Sequence, residues 1–152
     1  MIYLDHAANT KVDKEVLDKY YDTALNYYGN PNGNHAFAKK SKDLIEEATR
    51  KIAKTLNILP EEIIYTSGAT ESNNLAIKGI CERYKNNGKH ILVSCLEHTS
   101  IIASATVMQE LGFEVELIPV DKNGLVNTET LKQMIRGGTI LVSVCSVDSE
   151  LL

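Results

Sequence analysis

The chain has 152 residues, 43% of them hydrophobic and 24% charged, with a net charge of −4. This is the composition of a soluble globular protein with core enough for one folded domain, and it argues against nucleic acid or an anionic membrane as main partner, because there is no basic cluster and no apolar run near the ~20 residues of a membrane span. Three widely spaced cysteines (Cys81, Cys95, Cys145) without a C-x-x-C pair, and an N-terminus with no signal-like stretch, point to a reducing cytoplasm and to neither a disulfide framework nor a metal site.

Residues 1–13 form a lead-in segment, and helices and strands alternate over 14–152. Asp13 can cap a helix over 14–27, with Glu15 in its first turn and Val16, Leu17, Tyr20, Tyr21, Ala24 and Leu25 as its apolar stripe. Residues 28–36, rich in Gly, Asn and Pro, read as a loop, and 37–56 as a second helix with Leu44, Ile45, Ala48, Ile52, Ala53 and Leu56 on one face. A strand over 62–66, a helix over 70–86 and a strand over 90–95 follow. A helix over 99–111 stops near Gly112. A strand over 113–118, a turn at Asn123-Gly124, a helix over 128–136 and a strand over 139–145 complete the series. Ile91-Leu92-Val93 and Ile140-Leu141-Val142 are apolar without alternation, as in strands covered on both faces. The alternation predicts an α/β fold with a mainly parallel sheet flanked by helices.

Tyr65-Thr66-Ser67-Gly68-Ala69-Thr70-Glu71-Ser72-Asn73-Asn74 is the most informative stretch. An apolar run turns through Gly68 into a helix start. The first N–H groups of a helix lack internal partners and carry the positive end of its dipole, so they can cradle a phosphate. Gly68 permits close approach, or positive φ if the turn needs it, and Thr70 and Ser72 add hydroxyl donors. An ordinary capped helix fits the same residues equally well. Ligands of open α/β sheets sit beyond the carboxyl ends of strands. The loops Ser67–Ser72, Glu97–Ser100 and Ser146–Glu150 should therefore converge.

This segment resembles the phosphate-binding segment of the cysteine desulfurases, in the class V aminotransferase group of pyridoxal-phosphate enzymes. Further matches lie in the same order: Tyr3-Leu4-Asp5-His6-Ala7-Ala8-Asn9-Thr10, Gly29-Asn30-Pro31-Asn32-Gly33-Asn34-His35, Glu97-His98-Thr99-Ser100, Pro119 to Val126 and Thr139 to Val144. The resemblance covers essentially the whole chain. It implies part of the large domain of a fold-type I pyridoxal-phosphate-dependent transferase, and, since family members are more than twice as long, the first part of a longer enzyme, stopping before the Schiff-base lysine.

On that resemblance, Ala69 and Thr70 hold the phosphate of pyridoxal 5′-phosphate, and His98 stacks on its ring and moves protons. The rival reading of His98 is a solvated helix-start residue. His6, Asn9, Asn30 and His35 stand on the substrate side, with turn chemistry as an equal alternative for Asn30 and His35. His6 and Asn9 replace a usual Asn and Thr. His90, at a strand start, reads as structural. The family's Asn-Asn-Glu-x-Gly is replaced by Asp148-Ser149-Glu150-Leu151-Leu152, where Ser149 is the equivalent of a cofactor-contacting asparagine, or Asp148 in its place.

No Ser-x-His-Lys string, the family's Schiff-base context, occurs here. Cys81, Cys95 and Cys145 read as small buried hydrophobes rather than nucleophiles. The activity implied for the parent converts L-cysteine to L-alanine and an enzyme persulfide. The sulfur then goes to an iron–sulfur scaffold or another acceptor protein, or to tRNA thiolation, and the parent is a homodimer with no membrane or direct nucleic-acid contact. The fragment alone is expected to be inactive. The alternatives are a selenocysteine lyase or other group member, and a non-catalytic paralogue acting in partner binding or dimerisation.

Overall fold

A computed structural model describes residues 2–6 and 8–147. The chain forms two compact units, Met1–Tyr65 and Thr66–Leu152. No helix among the described residues is long and apolar enough to cross a membrane.

The first unit carries two long helices. Helix α1 spans Lys14–Asn26, and the Asp13 carboxylate accepts from the Glu15 amide at 2.8 Å, the cap expected of it. Its apolar stripe faces outward: Val16, Leu17, Tyr20, Tyr21 and Leu25 are all more than half exposed. Helix α2 spans Ala36–Leu56 and ends where Asn57 adopts the left-handed conformation, φ 56°. Ala38, Ser41 and Ala53 are its buried positions, and the Ser41 hydroxyl donates to the Tyr27 carbonyl at 3.0 Å. A single 3₁₀ turn, Pro60–Glu62, follows.

The strand expected over 62–66 does not form. Ile63 is extended, at φ −93° and ψ 124°, but residues 63–66 pair with no described strand. Ile64 and Tyr65 lie largely exposed, and the Tyr65 hydroxyl bonds the Thr49 hydroxyl at 2.8 Å. β-prone side chains favour extended backbone, but a strand also needs a neighbour's amides and carbonyls.

The second unit is the expected α/β assembly. Its elements are α3 (Ala69–Tyr84), β1 (His90–Ser94), α4 (Thr99–Glu110), β2 (Glu114–Ile118), α5 (Thr128–Met134) and β3 (Thr139–Ser143). The strands are parallel in the order β2-β1-β3, with Ile91 opposite Val115 and Leu141, and Val93 opposite Leu117 and Ser143. The central strand β1 is buried along its whole length, as its unbroken apolar run predicts. The same kind of run in β3 is only half-buried, because β3 is an edge of this sheet.

Ile77 and Cys81 of α3 and Ala105 and Met108 of α4 close the core over Ile91, Val93 and Phe113. Gly112, at φ 87°, ends the α4 segment as expected. At the Asn123-Gly124 turn, the Asp121 carboxylate accepts from the amides of Asn123 and Leu125 at 2.8 and 3.0 Å.

His90 is structural, as its position suggested: it is 3% exposed, and its Nδ1 bonds the Thr139 hydroxyl at 2.8 Å, tying β1 to β3. The cysteines correct the uniform expectation of burial. Cys81 lies in the core, where burial pushes its thiol pKa up. Cys95 is exposed and Cys145 half-buried. Cys95 opens the turn after Ser94 and Cys145 lies two residues after Ser143, so both side chains sit beyond the last paired residues of their strands.

Candidate functional site

In the second unit the chemistry-bearing residues gather where parallel strands end and helices begin, as the alternating pattern anticipates. Three side-chain bonds join these segments. Asn73 on α3 donates from Nδ2 to the Ser100 hydroxyl on α4 at 2.9 Å. The Ser143 hydroxyl, at the end of β3, donates to Glu97 after β1 at 2.8 Å. The Cys145 amide donates to the Ser94 hydroxyl at 3.3 Å.

Ala69 and Thr70 form the first turn of α3 and are exposed. The Ser72 amide reaches the Gly68 carbonyl at 3.1 Å, closing the first helical bond. The amides of Ala69 and Thr70, one turn earlier, have no partner among the described residues, as helix geometry requires. The Thr70 hydroxyl also bonds no described residue, and only its carbonyl is engaged, accepting from Asn74 at 2.8 Å.

The Ser72 hydroxyl, in contrast, is no ligand donor: it turns back to the Thr66 hydroxyl at 2.6 Å and the Gly68 carbonyl at 3.3 Å. Gly68 is extended, φ 163° and ψ 179°, so its backbone does not require glycine. A Cβ at Gly68 would meet nothing within 4 Å, so open space lies against this turn. Unpartnered helix-start amides, a free hydroxyl and open space fit the phosphate group of pyridoxal phosphate.

The reading of the sequence missed Glu71. Its carboxylate accepts from both the amide and the hydroxyl of Ser67, at 2.6 and 2.7 Å. The Ser67 amide, then its hydroxyl, hold the Glu71 carboxyl below its ordinary pKa. The signal was present in the Ser-x-x-x-Glu spacing, one residue longer than the usual capping box.

His98 is both exposed and a helix cap. Its Nδ1 accepts from the Ser100 amide at 3.1 Å and lies 2.9 Å from the Ser100 hydroxyl. The helix-start reading is therefore realised in the geometry, while the ring remains open to a ligand. Thr70 and His98 are linked within this unit through Asn73 and Ser100. Near the same strand ends, Leu96, Leu125, Val126, Val144, Cys145 and Val147 line a cavity of about 350 Å³.

His6, Asn9, Asn30 and His35 belong to the first unit. The rings of His6 and Tyr3 meet edge-on at 5.2 Å, and the Tyr3 hydroxyl donates to the Asn9 carbonyl at 3.0 Å. Asn30 accepts through its side chain from the Asn32 amide at 3.0 Å, and His35 Nδ1 caps α2 by accepting from Ala38 at 3.3 Å. These are the turn and cap roles weighed against substrate contact. His35 also lines a cavity of about 630 Å³ with Pro31, Asn32, Lys39 and Lys42. Asp148 and Ser149 lie outside the described residues.

The family model for aminotransferase class V matches residues 2–151, and the chain belongs to that family. A mitochondrial cysteine desulfurase of Candida albicans is 46% identical over 151 residues, covering 99% of this chain and 31% of that protein. Cysteine desulfurase IscS 1 of Archaeoglobus fulgidus is 44% identical, covering 99% of this chain and 40% of the relative. The solved structure of SspA in complex with cysteine superposes with a TM-score of 0.90 at 34% identity, over 97% of this chain and 43% of that one. The chain thus spans about a third to two-fifths of the length of the curated relatives it matches. The parallel sheet flanked by helices is the fold expected for the group.

Proposed function

We propose that this chain is the N-terminal portion of a pyridoxal-phosphate-dependent cysteine desulfurase. The observation that carries the reading is the start of α3. Ala69 and Thr70 present two unpartnered amides and the free Thr70 hydroxyl beside open space, in the same unit as the exposed ring of His98. The curated relatives named above are cysteine desulfurases, and a solved relative is described in complex with cysteine.

Pyridoxal phosphate, when bound, supplies an electron sink for the carbon skeleton of the amino acid. The chain's own residues bind and orient. The amides of Ala69 and Thr70 and the Thr70 hydroxyl would hold the phosphate, aided by the positive end of the α3 dipole. The Glu71 carboxylate holds Ser67 at the turn that leads into this cradle. By the resemblance, the exposed His98 imidazole would stack on the cofactor ring and handle a proton there. Ser149, outside the described residues, would contact the cofactor, and His6, Asn9, Asn30 and His35, in the first unit, are proposed as substrate-side residues.

The reaction turns L-cysteine into L-alanine, with sulfur leaving as a persulfide on a cysteine outside this chain. The acceptor is an iron–sulfur scaffold or another sulfur-acceptor protein, or the tRNA thiolation route, and the parent is a homodimer. Three free thiols suit a reducing compartment, and the cytoplasm is proposed, although one relative is named mitochondrial. Alone, the chain binds the cofactor weakly and does not turn over. The test is conversion of L-cysteine to L-alanine by the longer protein carrying this segment. Equal amounts of alanine and acceptor-bound sulfur are expected. Formation of another product from L-cysteine, or indifference to added pyridoxal phosphate, overturns the reading.

A further inference from the structure

Ser100 is 7% exposed and makes three hydrogen bonds to two side chains, Asn73 and His98. Its amide can only donate, and it points at His98 Nδ1 at 3.1 Å. That nitrogen must therefore carry a lone pair. The Ser100 hydroxyl also lies 2.9 Å from Nδ1 and accepts from Asn73 Nδ2 at 2.9 Å. With its oxygen accepting from Asn73, the hydroxyl proton is directed to Nδ1. Turning the Asn73 amide over would make the hydroxyl donate to Asn73 and accept from Nδ1, which conflicts with the Ser100 amide. The backbone settles the direction of the relay.

We propose that Asn73 and Ser100 are positioning residues that hold the His98 imidazole in a single tautomer, with Nδ1 accepting and the proton on Nε2. Nε2 bonds no described residue, and the ring is exposed, so a hydrogen-bond donor is offered outward. A neutral ring held this way donates at Nε2 and has its one acceptor nitrogen occupied. His98 thus meets its ligand as a hydrogen-bond donor rather than an acceptor. The relay also couples two parts of the site: Asn73 lies three residues after Thr70 on α3, and Ser100 lies two after His98. What the relay does in catalysis rests on the proposed function; the tautomer does not.

The test is the ¹⁵N spectrum of the histidine rings in the 152-residue chain without cofactor, recorded about two pH units above the ordinary histidine pKa of about 6.5. His98 should show one pyridine-like nitrogen at Nδ1 and one protonated, pyrrole-like nitrogen at Nε2. In Ser100→Ala and Asn73→Ala, which keep the backbone bond to Nδ1 but lose the hydroxyl or its orienting amide, the two shifts should move part of the way towards each other as the minor tautomer gains population, and Ser100→Thr should restore the original separation. A wild-type ring protonated at Nδ1 overturns the proposal. So do shifts unchanged in both alanine variants. Should Ser100→Ala fail to fold, the wild-type spectrum and Asn73→Ala still decide it. Adding pyridoxal phosphate to the longer protein that carries this segment, with its histidine rings recorded in the same way, separates the two claims. If the wild-type tautomer is as described but the His98 shifts ignore bound cofactor, the relay stands and the ring-stacking reading falls.

Discussion

The Glu71 carboxylate accepts from both the amide and the hydroxyl of Ser67, at 2.6 and 2.7 Å, and so folds the turn before α3 onto the first turn of that helix. The arrangement stabilises the ionised carboxylate, which sets a pH dependence with a definite sign. The folded-state pKa of Glu71 is lowered from the ordinary 4.5. Its contribution to stability is therefore fully present above pH 4.5 and is lost as the pH falls through the lower, folded-state value. A carboxyl titration by NMR should place Glu71 below 4.5, and Glu71→Gln should remove that part of the acid sensitivity. Amide exchange at Ser67 should quicken in Glu71→Ala; exchange equal to wild type would show that the bond does not hold the turn.

Thr70 separates the cap from the cradle. Its hydroxyl bonds no described residue, and Gly68 occupies the cap position. Thr70→Ala should therefore change the stability of the cofactor-free protein by no more than ~0.5 kcal/mol, as at ordinary exposed positions. If the hydroxyl donates to a phosphate, a charge-assisted bond worth roughly 1.5–3 kcal/mol disappears, and cofactor affinity falls about tenfold to a hundredfold. The dissociation constant of pyridoxal phosphate and the apo melting temperature, measured together in the longer protein, check both. Unchanged affinity removes Thr70 from the cradle.

His98 has two roles that substitution can part. Its Nδ1 caps α4, so His98→Ala should cost ~0.5–2 kcal/mol of stability. If the imidazole also moves protons as proposed, the same substitution in the longer protein should cost about 10²–10⁴-fold in desulfuration rate. Asn is a favoured cap residue, so His98→Asn should recover stability but not rate. Recovery of both would mean that the imidazole contributes only the cap.

Sulfide release from L-cysteine by the 152-residue chain should match a control without protein. Burial raises the Cys81 thiol pKa, so Cys81 is not an activated thiolate, and the Cys145 sulfur lies 3.2 Å from the Val147 carbonyl. Cys95 is exposed and is the thiol to check first. Cys95→Ser and Cys145→Ser should leave the background unchanged. Turnover that either substitution abolishes would place the nucleophile in this segment.

The alternation of helices and strands was legible because burial imposes periodicity on the sequence. The central strand β1, covered along its length, reads as the unbroken run Ile91-Leu92-Val93. Asp13 and Gly112 were legible as punctuation, since cap chemistry is local. The string at Ser67–Ser72, proposed as a phosphate cradle, was visible as a motif, and the family model matches residues 2–151 around it.

Three features required the tertiary structure. Ile63 to Thr66 has strand composition but pairs with no strand among the described residues, and pairing is non-local. Ser72 and Thr70 look equally suited to a phosphate, yet the Ser72 hydroxyl is consumed by Thr66 and Gly68 and that of Thr70 is not. The Asn73–Ser100–His98 relay joins positions 27 and 2 residues apart, and no spacing rule announces it. Sequence alone determined which segments could be helix or strand and which residues could carry the chemistry, because propensity and burial act on each segment in place. Only the fold decided which donors remain free and which are already spent, because a hydrogen bond depends on where its partner has been brought.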